Sequence, residues 1–195
     1  MNIVKIKAGF SLPALSVLSF SAHGHTGMGS IQSFAEGFSH PFSGIDHLLV
    51  MSAIGLWAVL LGGRRPWLLP LAFLLAMAGG ALLDWAGVAV DNAEIWVAFS
   101  VLMLGFLLRF GRRFTRGTAI ALVAAFGLGH GYVHGADMGI DANAARYALG
   151  FLTATLTLHA FGMMAGLFGP LVLKKLGTVM ALLCTLTGVL LLAGA

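Results

Sequence analysis

Residues 118–137 read TAIALVAAFGLGHGYVHGAD. From Thr118 the strictly apolar part ends near Leu128, about half of what a helix needs, since a hydrocarbon core about 30 Å thick takes roughly 20 residues. A segment of this kind crosses a bilayer only by taking His130 and His134 in with it. Ionisable groups at that depth are costly and usually functional. His130 and His134 are four apart and Asp137 lies three beyond His134, so all three share one helical stripe, a spacing that suits two ligands on one divalent ion. Gly127, Gly131 and Gly135 recur every fourth residue and predict a neighbouring helix at close range. The plainer alternative is that the glycines drive packing and the histidines only bond between helices.

The rest of the composition supports a membrane setting. Of 195 residues, 59% are hydrophobic and 9% charged, and the mean hydropathy is +0.96. That lies far outside the make-up of a soluble domain. Apolar runs at Leu48 to Gly63, Trp67 to Leu83, Ile95 to Phe110, Thr118 to His134, Tyr147 to Gly166 and Leu176 to Ala195 predict an all-α polytopic membrane protein of six transmembrane helices. The net charge of +4 does not signal nucleic acid, because the basic residues fall at the ends of apolar runs and report topology. Arg64 and Arg65, then Arg109, Arg112, Arg113 and Arg116, then Lys174 and Lys175 occupy alternate loops, whereas the other loops hold only Arg146. The three basic loops are expected in the cytoplasm. The acidic residues Glu36, Asp46, Asp84, Asp91, Glu94, Asp137 and Asp141 then fall at the outer side, which suits cation capture. No internal repeat relates the two three-helix halves. Cys184, the single cysteine, excludes a disulfide framework within the chain and leaves His, Asp, Glu and Met as ligands.

Lys5 and Lys7, the short apolar stretch Ala8 to Phe20 and the small residues Ser21 and Ala22 predict a cleaved signal peptide at residues 1–22, with the membrane domain at 23–195. Cleavage after Ser21 fits the rule for small residues better, because Phe20 stands three before the other position. Six spans then leave both mature termini on the periplasmic side of an inner membrane. Cleavage after Ala22 exposes His23-Gly24-His25, whose amine, two backbone nitrogens and third-residue imidazole form a planar set suited to Ni(II) or Cu(II).

Two further polar points stand at helix depth. His40-Pro-Phe-Ser-Gly-Ile-Asp46-His47 directly precedes Leu48, and the first run is too short to span without borrowing Asp46 and His47. His40 and His47 share a face if the helix starts early, or Pro41 and Gly44 form a turn; either brings two imidazoles and a carboxylate together. The alternative is that Asp46 only caps a helix. Thr155 and His159 lie one turn apart within the fifth run, where a lone histidine is either a packed hydrogen-bonding residue or a point on a metal path.

His40 with five residues to Asp46-His47, the segment from His130 to Asp137, the histidine-rich start and the six runs resemble the HupE/UreJ family over nearly the whole mature chain. The second family motif, Phe-His-Gly-x-Ala/Val-His-Gly-x-Glu, falls on Gly129 through Asp137, with Gly129 in place of Phe and Asp137 in place of Glu. The resemblance implies a permease for nickel, or in some members cobalt, that supplies hydrogenase or urease. On this reading His40, Asp46, His47, His130, His134, Asp137 and His159, with His23 and His25, handle the metal. The expected partners are the ion and the lipid bilayer, with no nucleic acid and no prosthetic group. No loop carries a nucleotide-binding motif, so passive or gradient-coupled transport is expected rather than enzyme activity. Two rivals from other classes are an intramembrane zinc hydrolase using His130, His134 and His47 with Asp46 as base, and a haem-binding electron carrier with two axial histidines.

Overall fold

The computed structural model describes residues 33–138 and 142–194, and the side chains of Arg112, Ala136, Asp137 and Ala142 are not among the described parts. The expected signal peptide, His23 and His25 lie outside the described residues. Among those residues the fold is all-α, with no strand. The helices are α1 (Phe34–Ser43), α2 (Ile45–Leu60), α3 (Leu68–Trp85), α4 (Ala93–Phe110), α5 (Arg116–Asp137), α6 (Ala142–Met164) and α7 (Pro170–Gly194), with short 3-10 turns at Gly111–Arg113 and Ala165–Phe168.

The first span begins differently from its hydropathy. Ser33 caps α1 with a reciprocal capping box: its hydroxyl accepts from the Glu36 amide at 3.2 Å, and the Glu36 carboxylate accepts from the Ser33 amide at 2.7 Å. The helix ends at Ser43, Gly44 is extended (φ −103°, ψ 124°), and α2 starts at Ile45. The two axes meet at 86°. The turn alternative is therefore the one realised, with the break at Gly44 and Pro41 inside α1.

By length and apolarity, four helical segments qualify as spans, Leu68–Trp85, Ala93–Phe110, Asn143–Phe168 and Pro170–Gly194, and the bent pair α1–α2 makes a fifth. The helix α5 is long enough at 22 residues. It lacks the apolarity, because His130, His134, Gly129, Gly131 and Gly135 fill its last third. The expected count of six thus stands at four to five on hydropathy. Helices α6 and α7 also start earlier than the apolar runs, taking in Arg146 and the pair Lys174 and Lys175, whose long stems let the charge reach the membrane surface.

Contacts at the helix ends sort the loops into two sets. The Arg116 Nη2 donates to the Gly62 carbonyl at 2.8 Å, joining the α2–α3 and α4–α5 connections, and Leu60 faces Gly177 at the start of α7. At the opposite end Trp85 Nε1 donates to the Gly135 carbonyl at 3.1 Å, and the Tyr132 hydroxyl donates to Val88 O at 2.7 Å while accepting from Val90 N at 2.9 Å. Arg64, Arg65 and Arg116 therefore share one end of the bundle, and Asp84 lies at the other.

Close backbone approach sets the packing of α3 on α5. A β-carbon at Gly131 would strike the Met77 carbonyl, and one at Gly80 would strike Leu128 and Tyr132 backbone, so glycines on both helices let the two backbones meet. The adjacent Gly79 faces open space. Gly80→Ala is expected to cost about 1–3 kcal/mol by overpacking, whereas Gly79→Ala should stabilise α3 by up to about 1 kcal/mol through helix propensity. Thermal unfolding of the two variants in detergent checks this, and equal melting temperatures would refute the close-packing account.

Candidate metal centre

The site lies where α1, α2, α5 and α6 meet near the acidic end. His40 comes from α1, His47 from the first turn of α2 and His134 from the last turn of α5. Each of the three offers a ligand nitrogen, and these nitrogens all lie within 4.8 Å of one another. The His47 and His134 Nε2 atoms are 2.5 Å apart, across 87 residues of sequence. The ring centroid of His134 is 4.6 Å from that of His47 and 4.9 Å from that of His40. Phe151 of α6 walls the cluster, with its ring 5.4 Å from His40 and 5.1 Å from His134.

Each ring is oriented by a neighbour. The His47 Nδ1 donates to Asp46 Oδ1 at 2.9 Å, which leaves the lone pair on Nε2 and turns it toward His134. A carboxylate behind an imidazole fixes its tautomer and raises its basicity, as at many metal sites. The Tyr147 hydroxyl holds His40 by Nδ1 at 2.7 Å. His47 and His134 are buried, at 6% and 7% exposure. Asp46, expected among the metal residues, here stands behind His47.

The other expected residues separate from this group. His130 lies one turn deeper on α5, wholly buried, with its ring centroid 5.8 Å from His47 and its Nε2 3.0 Å from Ser100 Oγ of α4. His159 lies further down α6 and is also wholly buried, its Nδ1 donating to the Thr155 carbonyl at 2.7 Å. Asp137 ends α5, and its side chain is among the parts not described. The space beside His134 is a cavity of about 190 Å³ whose walls, including Met77, Trp85, Met138 and Phe151, are apolar. His40, Asp46 and His47 of the first motif thus meet His134 of the second by packing against one another, beside a space whose walls are apolar.

Two contributors escaped the sequence reading. Ser100 is a single hydroxyl in the apolar run of α4, and its role against His130 appears only once α4 and α5 are packed. Tyr147 opened the fifth apolar run, but its pairing with His40 spans 107 residues.

Fold and site together define a polytopic helical membrane protein with a buried histidine cluster at one end. A family model described as HupE / UreJ protein matches residues 13–191. Protein HupE of Rhizobium leguminosarum bv. viciae is 42% identical over 152 residues, covering 78% of each chain. The chain belongs to the HupE/UreJ family. No solved structure matches it.

If the three imidazoles hold a divalent ion, the Asp46 carboxylate acts through His47. Asp46→Ala is then expected to weaken nickel binding to the purified protein by about 10–100-fold, the usual cost of losing a partner of this kind. Titration calorimetry measures it, and an affinity equal to wild type would remove Asp46 from the site.

Proposed function

We propose that this protein is a membrane permease that carries a divalent transition-metal ion, nickel first and cobalt second, into the cytoplasm. The observation that supports it best is the convergence of His40, His47 and His134 from three separate helices at one end of the bundle. Three neutral imidazoles suit nickel, cobalt or zinc, and moderate affinity at successive points is what conduction needs. His130 and His159 continue the polar points inward.

The topology goes with this reading. The basic connections face the cytoplasm by the positive-inside rule, the acidic end faces the periplasm of an inner membrane and attracts cations, and α5 serves as the sixth span because its histidines are sheltered by neighbouring helices. Residues 1–22 are removed as a signal peptide. His23-Gly24-His25 and Asp137 gather metal at the outer face. In line with the family, the ion would supply a nickel enzyme such as hydrogenase or urease. The chain is then a carrier and not an enzyme, and the ion is its cargo and not a prosthetic group.

One observation favours a second reading. Three histidines with a carboxylate behind one of them also suit a catalytic zinc site with an open position. Tight stoichiometric zinc in the purified protein, together with lipid hydrolysis, would favour that hydrolase over the permease.

Cells expressing the chain should take up radiolabelled nickel, with cobalt as a competitor. His47→Ala, Asp46→Ala and His130→Ala should abolish uptake while the protein stays in the membrane, and His159→Ala should reduce it partly. Wild-type uptake in the first three would end the permease reading at this site. Intact-mass measurement should show a mature chain beginning after Ser21 or Ala22, and retention of Met1 through Ala22 would refute processing.

A further inference from the structure

Below the cluster, α3 sends Phe73 against two imidazoles. Its ring centroid lies 5.6 Å from His130 and 5.3 Å from His159, and all three side chains are wholly buried. Among the described residues Phe73 is the aromatic ring that touches both. The helices give the depths: His130 is one turn, about 6 Å, below His134 on α5, and His159 is two turns, about 12 Å, below Phe151 on α6. On α3, Met77 faces Gly131, and Phe73, one turn deeper, faces Gly127. The order from the cluster inward is therefore His130, Phe73, His159.

Both histidines keep an unused nitrogen at this level. The Ser100 hydroxyl donates to the Val97 carbonyl at 2.7 Å, so at the 3.0 Å contact His130 Nε2 must be the donor, and the lone pair falls on Nδ1. That Nδ1 has no hydrogen-bond partner. His159 donates through Nδ1 to Thr155 O, so its lone pair is on Nε2, which also has no partner, nor has the Thr155 hydroxyl oxygen. Unpartnered buried polar atoms are rare and call for an explanation. Here two ligand-type nitrogens and a hydroxyl wait on either side of a phenyl ring that offers a cation no ligand.

We infer that Phe73 is a gate that closes the passage between the outer histidine site and a second, deeper cation site at His159. The inference rests on the permease reading for its cargo, but its geometry is independent of which ion moves. A constriction lined by apolar atoms blocks an ion by excluding water, and swinging one ring restores the path. The close contact of Gly127 with the Phe73 backbone holds α3 and α5 together at this depth, so opening is a motion of the side chain and not a parting of the two helices.

Accessibility tests this without relying on transport. In a Cys184→Ala background, His159→Cys places one thiol below the gate and His47→Cys places one above it. Proteoliposomes are treated from the outer side with methanethiosulfonate ethylammonium, a small cation. With Phe73 present, the deep thiol should react slowly and the upper one readily. Phe73→Ala should speed the deep reaction by about tenfold or more, as expected when a dewetted constriction is opened, and leave the upper one unchanged; Phe73→Trp should keep the deep thiol protected. In a separate chain that keeps Cys184, wholly buried in α7, labelling of that thiol reports misfolding if Phe73→Ala exposes it, and Phe73→Leu then takes its place with a smaller rise. A deep thiol that reacts equally fast whichever residue stands at 73 overturns the gate. Nickel uptake by wild type with no effect at 73 would sink the gate alone. A working gate in a chain that takes up no nickel or cobalt would sink the cargo reading instead.

Discussion

An imidazole taken into hydrocarbon loses its water and must find partners on other helices. Most of the architecture follows from meeting that demand for the histidines of α5 and their neighbours. The partners come from several sides: Ser100 from α4 for His130, His134 from α5 for His47, and Tyr147 from α6 for His40. The backbones must come close for such bonds to form: Gly37 against Tyr147 and Gly150 against Phe34 bring α1 onto α6, as the paired glycines bring α3 onto α5. The polar centre and the tight packing are thus two sides of one constraint.

The sequence disclosed the part of this that is local. A run that turns from apolar to His-Gly-Tyr-Val-His-Gly within α5 shows that histidines enter the membrane, and the four-residue glycine spacing shows which face meets a neighbour. It also showed that α2 needs Asp46 and His47 to reach its length, and the helix does start at Ile45. What stayed hidden is tertiary. Hydropathy gave no sign of α1, whose ten residues are held by a capping box and by packing on α6 rather than by an apolar run. Nor does any spacing reveal which of Asp46, His130 and His134 faces His47; packing makes His134 the facing ring and Asp46 the support.

Hydropathy also misjudges α5 in an instructive way. A scale that scores each residue alone counts His130 and His134 against a membrane helix. Their real cost is lower, because Ser100 and His47 meet them inside the bundle. Polar residues that pair across helices make a span look less apolar than its surroundings require, so the segment that carries the chemistry is the one a composition filter drops.

The three histidines of the cluster belong to three separate segments: α1, the helix after the 86° break, and the end of α5. An ion held by all three would act as a clasp closing loops of 7 and 87 residues, and would favour the assembled bundle in proportion to the logarithm of its concentration over its dissociation constant. Such a clasp works against its own release. The tighter it holds, the more the bundle must loosen before the ion can leave, so the break at Gly44 has a mechanical meaning: it sets His40 on a short helix apart from α2, and His40 can leave the ion without bending α2.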